Sequence, residues 1–288
     1  MGSPQTELGI YTGVFVCMFT TNVRELFRKT IKEGIKSGLD TSIYAKSEFD
    51  ADQMHEIKQG LKNNIDVSVY ASPEFSWRQM HEIRYGLTEG FDVSIYASPE
   101  FRSDQMEQIR YGLETKVDVS VYADPKFDSQ QMEEIKKGLW KDIDVSVYTK
   151  PEFNSRQMRQ IRYGLENEID ASIYANPRFD SAQMEQIREG LESKLDVSIY
   201  AKPEFEWEQM SEIRQGLKAG IDVSNYTDPD LDWKQMKEIR TGLETRENWN
   251  HENNFLNHID DIIEKTKQEQ QALVEKHIKP VITQGEEH

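Results

Sequence analysis

One cysteine, Cys17, stands in 288 residues. That excludes an intramolecular disulfide and any metal site built on a cysteine cluster, and a reducing interior suits such a chain. Histidine is scarce too. Of the six, His55 and His81 share one slot of neighbouring repeats while His251, His258, His277 and His288 are scattered behind, and none has a partner at metal-ligand spacing. Long apolar runs are missing: residues 9–19 fall far short of the roughly 20 a membrane helix needs, and no basic residue precedes them as a secretory signal requires. Glycine-rich phosphate loops, a serine elbow and paired catalytic carboxylates are absent as motifs. Positive charge is the last shortage. With 35 Lys and Arg against 52 Asp and Glu the net charge is −17, which disfavours nonspecific contact with nucleic acid or anionic membrane and favours a basic or nucleic-acid-binding protein as partner.

What the chain has is a repeat. Met54, Met80, Met106, Met132, Met158, Met184, Met210 and Met236 follow one another at a constant step of 26 residues, with no insertion. A fixed period of this size marks an array whose units bury their apolar faces against neighbours. Catalysis needs a unique set of mutually placed groups, and an array offers the same few at every step. The expectation is therefore a non-catalytic scaffold, with no cofactor and no metal.

Each repeat opens like a capped helix. Asp50 stands three residues before Gln53, the spacing of a capping box, and the glutamine recurs in every unit. Six of the eight residues in the cap slot (Asp50, Ser76, Arg102, Asp128, Asn154, Asp180, Glu206 and Asp232) are good caps. The preceding Phe49, Phe75, Phe101, Phe127, Phe153, Phe179 and Phe205, then Leu231, staple to the methionine. Read as a cap alone, the glutamine costs well under about 2 kcal/mol when replaced by alanine. Met54, Ile57 and Leu61 share the buried face. The helix ends near Asn64, a slot that holds Gly38, Gly90 and Gly220 elsewhere, and Ile65 follows as in a Schellman turn.

The second half, Asp66-Val-Ser-Val-Tyr-Ala, reads as a short helix of about two turns capped by Asp66 and stopped before Pro73. An alternating strand is the runner-up and would make an α/β horseshoe. The fold class expected is all-α: a right-handed α-solenoid of about nine helical-hairpin repeats with a C-terminal helix. Gly60 and its equivalents lie inside the first helix, at about 1 kcal/mol relative to alanine, and close approach of another backbone accounts for them. The slot after the isoleucine (Lys58, Arg84, Arg110, Lys136, Arg162, Arg188, Arg214, Arg240) is always basic, and lying beside the core face it reads as structural pairing.

Residues 1–22 read as an N-terminal cap or degenerate half-repeat, and 23–243 as the array, with Val23, Ile31 and Gly34 in the phenylalanine, isoleucine and glycine slots. Within 244–288, residues 244–254 break the period. Residues 254–278 then read as a long helix whose first half caps the array and whose second is available for self-association.

Positions one, five and eight residues after each methionine point away from the core and vary from unit to unit. Variable exposed slots on a constant scaffold are where an array binds, and aromatics are favoured there. Tyr85, Tyr111, Trp140 and Tyr163 form the candidate protein-binding patch, with His81 and Arg159 alongside. The alternative function is an acidic nucleic-acid mimic occupying a DNA- or RNA-binding protein. It requires negative charge to dominate one face, and the always-basic slot counts against it.

The unit Q-M-x-x-I-R-x-G-L followed by D-V-S-x-Y-A-x-P-x-F is similar to 26-residue repeats of Firmicutes phage and mobile-element proteins, over about residues 49–243. The resemblance implies a bacterial or phage cytoplasmic protein, an inhibitor of a host protein being one such role, and brings no catalytic residues with it.

Overall fold

The structure, a computed structural model, describes residues 21–247 together with Gln268 and Gln271, both helical. No strand occurs among them, so the horseshoe is not needed and the fold is an all-α solenoid of 26-residue repeats. The chain divides into two compact units, Met1–Pro177 and Arg178–His288. In the first, Thr21–Lys36 (α1), Ala51–Lys62 (α2), Trp77–Thr88 (α3), Ser103–Glu114 (α4), Ser129–Trp140 (α5) and Ser155–Glu166 (α6) each precede a three-residue 3-10 turn, and consecutive α-helices pack on one another. In the second, Ser181–Glu192 (α7) packs on Trp207–Lys218 (α8), each again followed by a 3-10 turn, and residues 233–247 are helical.

The helix ends are built as the spacing predicts. Asp50 accepts from the Gln53 N–H at 2.8 Å, and the Gln53 side chain accepts from the Asp50 N–H at 2.7 Å. At the two poor cap slots, Arg102 and Glu206 make no side-chain cap bond, and only the glutamine half of the box remains. At the other end the Ile65 N–H reaches the Gly60 carbonyl and the Asn64 N–H the Leu61 carbonyl, the two bonds of a Schellman turn. That geometry demands a left-handed residue. Asn64, Lys116, Asp142, Glu168 and Lys194 have φ between 55° and 60°, and Gly38, Gly90 and Gly220 take the same slot at 70–75°.

The second segment is shorter than expected. Asp66 accepts from both the N–H and the hydroxyl of Ser68, at 3.0 and 2.6 Å. The 3-10 turn then lasts only Val67–Val69, because Tyr70, at φ −135°, leaves the helical region. Its ring is fully buried and its hydroxyl donates to the Glu56 carbonyl at 3.3 Å. A Cβ on Gly60 would fall on that hydroxyl oxygen, far inside contact distance. The helical glycine therefore makes room for a tyrosine hydroxyl and not, as expected, for another backbone.

One boundary also differs: α1 begins at Thr21 and places Val23 inside the helix instead of before it. The last array helix continues through residue 247. The half-repeat in 1–20, Cys17 within it, and the C-terminal helix at 254–278 lie outside the described residues, Gln268 and Gln271 apart.

Candidate interaction face

Beneath the variable surface lies a buried ion-pair layer. Two residues after each methionine of α2–α6 stands Glu56, Glu82, Gln108, Glu134 or Gln160, a slot held to Glu or Gln whose meaning the sequence reading missed. The first four accept from the basic slot of the following repeat. Arg84 Nε lies 2.8 Å from Glu56, Arg110 Nε 2.7 Å from Glu82 and Lys136 Nζ 2.8 Å from the Gln108 amide oxygen, while Arg162 Nη2 is 2.9 Å from Glu134. In the second unit Arg240 meets Glu212 at 2.8 Å in the same way. The basic slot is thus structural, as expected, but its partner belongs to the neighbouring unit. Burial pushes the Lys136 ammonium below its ordinary value, as fits a cation whose bonded partner is a neutral amide.

The candidate aromatic residues lie over this layer. The Arg110 guanidinium sits 4.4 Å from the Tyr85 ring centre and 4.5 Å from that of Tyr111, so one cation joins two predicted residues of successive repeats. Lys136 lies 5.1 Å from Tyr111, and Arg162 4.6 Å from Tyr163. Each tyrosine therefore covers an ion pair and still leaves 39–40 % of its surface to solvent. Trp140, at the end of α5, is 69 % exposed.

His81 and Arg159 share one slot and one behaviour. His81 Nδ1 is 3.4 Å from Glu56, and Arg159 Nη2 is 3.2 Å from Glu134, so both reach back to the buried carboxylate of the preceding repeat. Sequence reasoning left out Lys137, whose Nζ lies 3.2 Å from Glu134 and 2.8 Å from Glu133. Its only signal was a lysine in the slot that holds tyrosine in α3, α4 and α6. Although burial opposes it, hydrogen bonds from Lys141 and Arg162 hold the Glu166 carboxyl below its ordinary value.

Among the described residues no group of three or more His, Cys, Asp or Glu is placed to hold a metal ion, and no helix is long and apolar enough to cross a membrane. Compared with known proteins, the chain matches no family model, no curated protein and no solved structure.

Proposed function

We propose that the chain is a non-catalytic protein-binding solenoid whose partner docks on Tyr85, Tyr111, Trp140 and Tyr163, with His81 and Arg159 alongside. The observation that carries this is the partial exposure of three tyrosines in equivalent positions, each backed by a cation that is itself paired. Rings held on a rigid, ordered surface lose little entropy on binding, which favours them as interface anchors. The resemblance to phage and mobile-element repeats extends the proposal to a cytoplasmic inhibitor of a bacterial host protein.

The test is capture of a partner from a bacterial lysate, its identification by mass spectrometry and titration of the purified pair. Tyr111→Ser with Tyr163→Ser is expected to weaken binding at least tenfold, about 1.4 kcal/mol, with little change in melting. Unchanged affinity in the double variant would remove the face from the function.

A second reading, the acidic nucleic-acid mimic, is favoured by one finding. Arg84, Arg110 and Arg162 of the always-basic slot are paired internally, so they do not neutralise the exposed Asp40, Asp66, Asp92, Asp118, Asp144 and Asp170. A partner that is a DNA- or RNA-binding protein, lost on Asp92→Asn with Asp118→Asn and Asp144→Asn but retained in the tyrosine variant, would select this reading. Asparagine also caps, so those changes keep the turns.

A further inference from the structure

Within the first unit the buried carboxylates do not carry equal loads. Glu82 answers one guanidinium, that of Arg110. Glu134, only 1 % exposed, faces three cations: Arg162 at one oxygen, and Arg159 and Lys137, each at 3.2 Å, at the other. Further carboxylates reduce the excess but do not cancel it. Glu133 takes Lys137, and Glu166 takes Arg162 and Lys141, which leaves four cations against three carboxylates. Lys136, bonded to an amide, adds a cation beside them and Glu107 a carboxylate, so the excess of one positive charge stands. In a chain of net charge −17 the sign is reversed here.

The excess is also at the surface. Arg162 is 5 % exposed, whereas Arg159 and Lys137 are 46 % and 40 % exposed, and these two half-exposed side chains converge on one oxygen of Glu134. A guanidinium has five N–H groups and an ammonium three, more than that oxygen and Glu133 can occupy. A carboxylate from outside is the acceptor that such a pair bridges with charge-assisted hydrogen bonds. Apolar contact is provided on both sides, because Tyr163 stands four residues after Arg159 and Trp140 three after Lys137, the spacings that share a helix face.

Resting on the protein-binding reading, we infer that the α5–α6 part of the face recognises a carboxylate flanked by a bulky apolar side chain on a partner protein segment. The arrangement fits one isolated acid better than a polyanion. A single carboxylate meets two donors at short range, whereas a nucleic acid strand would bring many phosphates into the field of an acidic protein.

Selection of a displayed random-peptide library on the full-length chain, followed by anisotropy titration of the best synthetic peptide, tests this. Enriched peptides are expected to carry Asp or Glu next to Leu, Ile, Phe or Trp. Arg159→Gln with Lys137→Gln should weaken the peptide at least tenfold while helical content and melting hold, since Glu134 keeps Arg162. Replacing the peptide's acid with its amide should do the same on the unaltered protein, independently of any effect on folding. Peptides that lose affinity on Tyr111→Ser with Tyr163→Ser but not on loss of the two cations would overturn the inference and leave the protein-binding reading standing. Peptides indifferent to both variants, or no enrichment at all, would overturn both. A labelled single-stranded oligonucleotide that bound as tightly and was released by the same cation substitutions would assign the site to phosphate instead.

Discussion

Gly164 shows how one atom of bulk is set against one hydroxyl. A Cβ there would collide with the Tyr174 hydroxyl and sit 3.1 Å from the carbon that bears it. This repeat has Ala171 where others have valine, so no valine methyl crowds the same spot, as happens at Gly138. Alanine gains about 1 kcal/mol of helix propensity over glycine, yet Gly164→Ala is expected to destabilise by several kcal/mol, as overpacking and loss of the Tyr174 bond to the Gln160 carbonyl combine. Tyr174→Phe alone should cost about 1 kcal/mol. The double variant should then be more stable than Gly164→Ala by itself, a favourable coupling of about 1–3 kcal/mol read from urea denaturation of all four proteins. Simple additivity would mean that the hydroxyl is not what the glycine accommodates.

Between repeats, the capping glutamine does more than cap. Gln131 accepts from the Asp128 N–H at 2.7 Å and also donates to the Phe153 carbonyl of the next repeat at 2.6 Å and to the Pro151 carbonyl at 3.1 Å. Its removal strands partners on two repeats, each costing about 1–3 kcal/mol when buried. Gln131→Ala is therefore expected to cost about 2–4 kcal/mol, above the well under 2 expected of a cap alone and above Asp128→Ala at about 0.5–2. Chemical denaturation that ranked the two variants the other way round would reduce the glutamine to a cap. This difference also marks what was legible in the sequence. The box, the staple and the Schellman turn join residues a few positions apart, so their spacing alone identifies them. Gln131 to Phe153, Gly164 to Tyr174 and Arg162 to Glu134 span 22, 10 and 28 residues. Periodicity records that each slot is constant, but every slot repeats at the same step and so gives no sign of which one it meets. The site was legible to the same degree: the exposed slots of Tyr85, Tyr111, Trp140 and Tyr163 follow from helix geometry, while the buried Glu134 that gathers Arg159 and Lys137 does not.

At the scale of the whole molecule the invariant tyrosine becomes a titration property. Burial raises the phenol of Tyr44, Tyr70, Tyr96, Tyr122, Tyr148 and Tyr200 above its ordinary value, and pushes Tyr226 up to about 12. In the unfolded chain each titrates near 10, so between that pH and the folded value the native state holds more protons than the unfolded one. Stability must then fall as pH rises: it is fully present below about pH 10 and is lost above it, by up to about 1.4 kcal/mol per pH unit for each tyrosine. Seven such groups acting on a domain stability of about 5–15 kcal/mol predict cooperative unfolding within roughly one to two pH units above 10. The exposed aspartates work at the opposite end. Bonds from the Ser68 hydroxyl and N–H hold Asp66 below its ordinary value, so its contribution is present at neutral pH and is lost as pH falls through that lowered value; being fully exposed, it softens the acid side only gently. Circular dichroism and tyrosinate absorbance followed together from pH 7 to about 12 test the alkaline limb. The buried tyrosines should ionise only as helix is lost, in one coincident transition. Tyrosinate absorbance that rose to completion while the helical signal held would show that the phenols reach solvent in the folded state, and the Gly–Tyr lock would have to be given up as the source of stability.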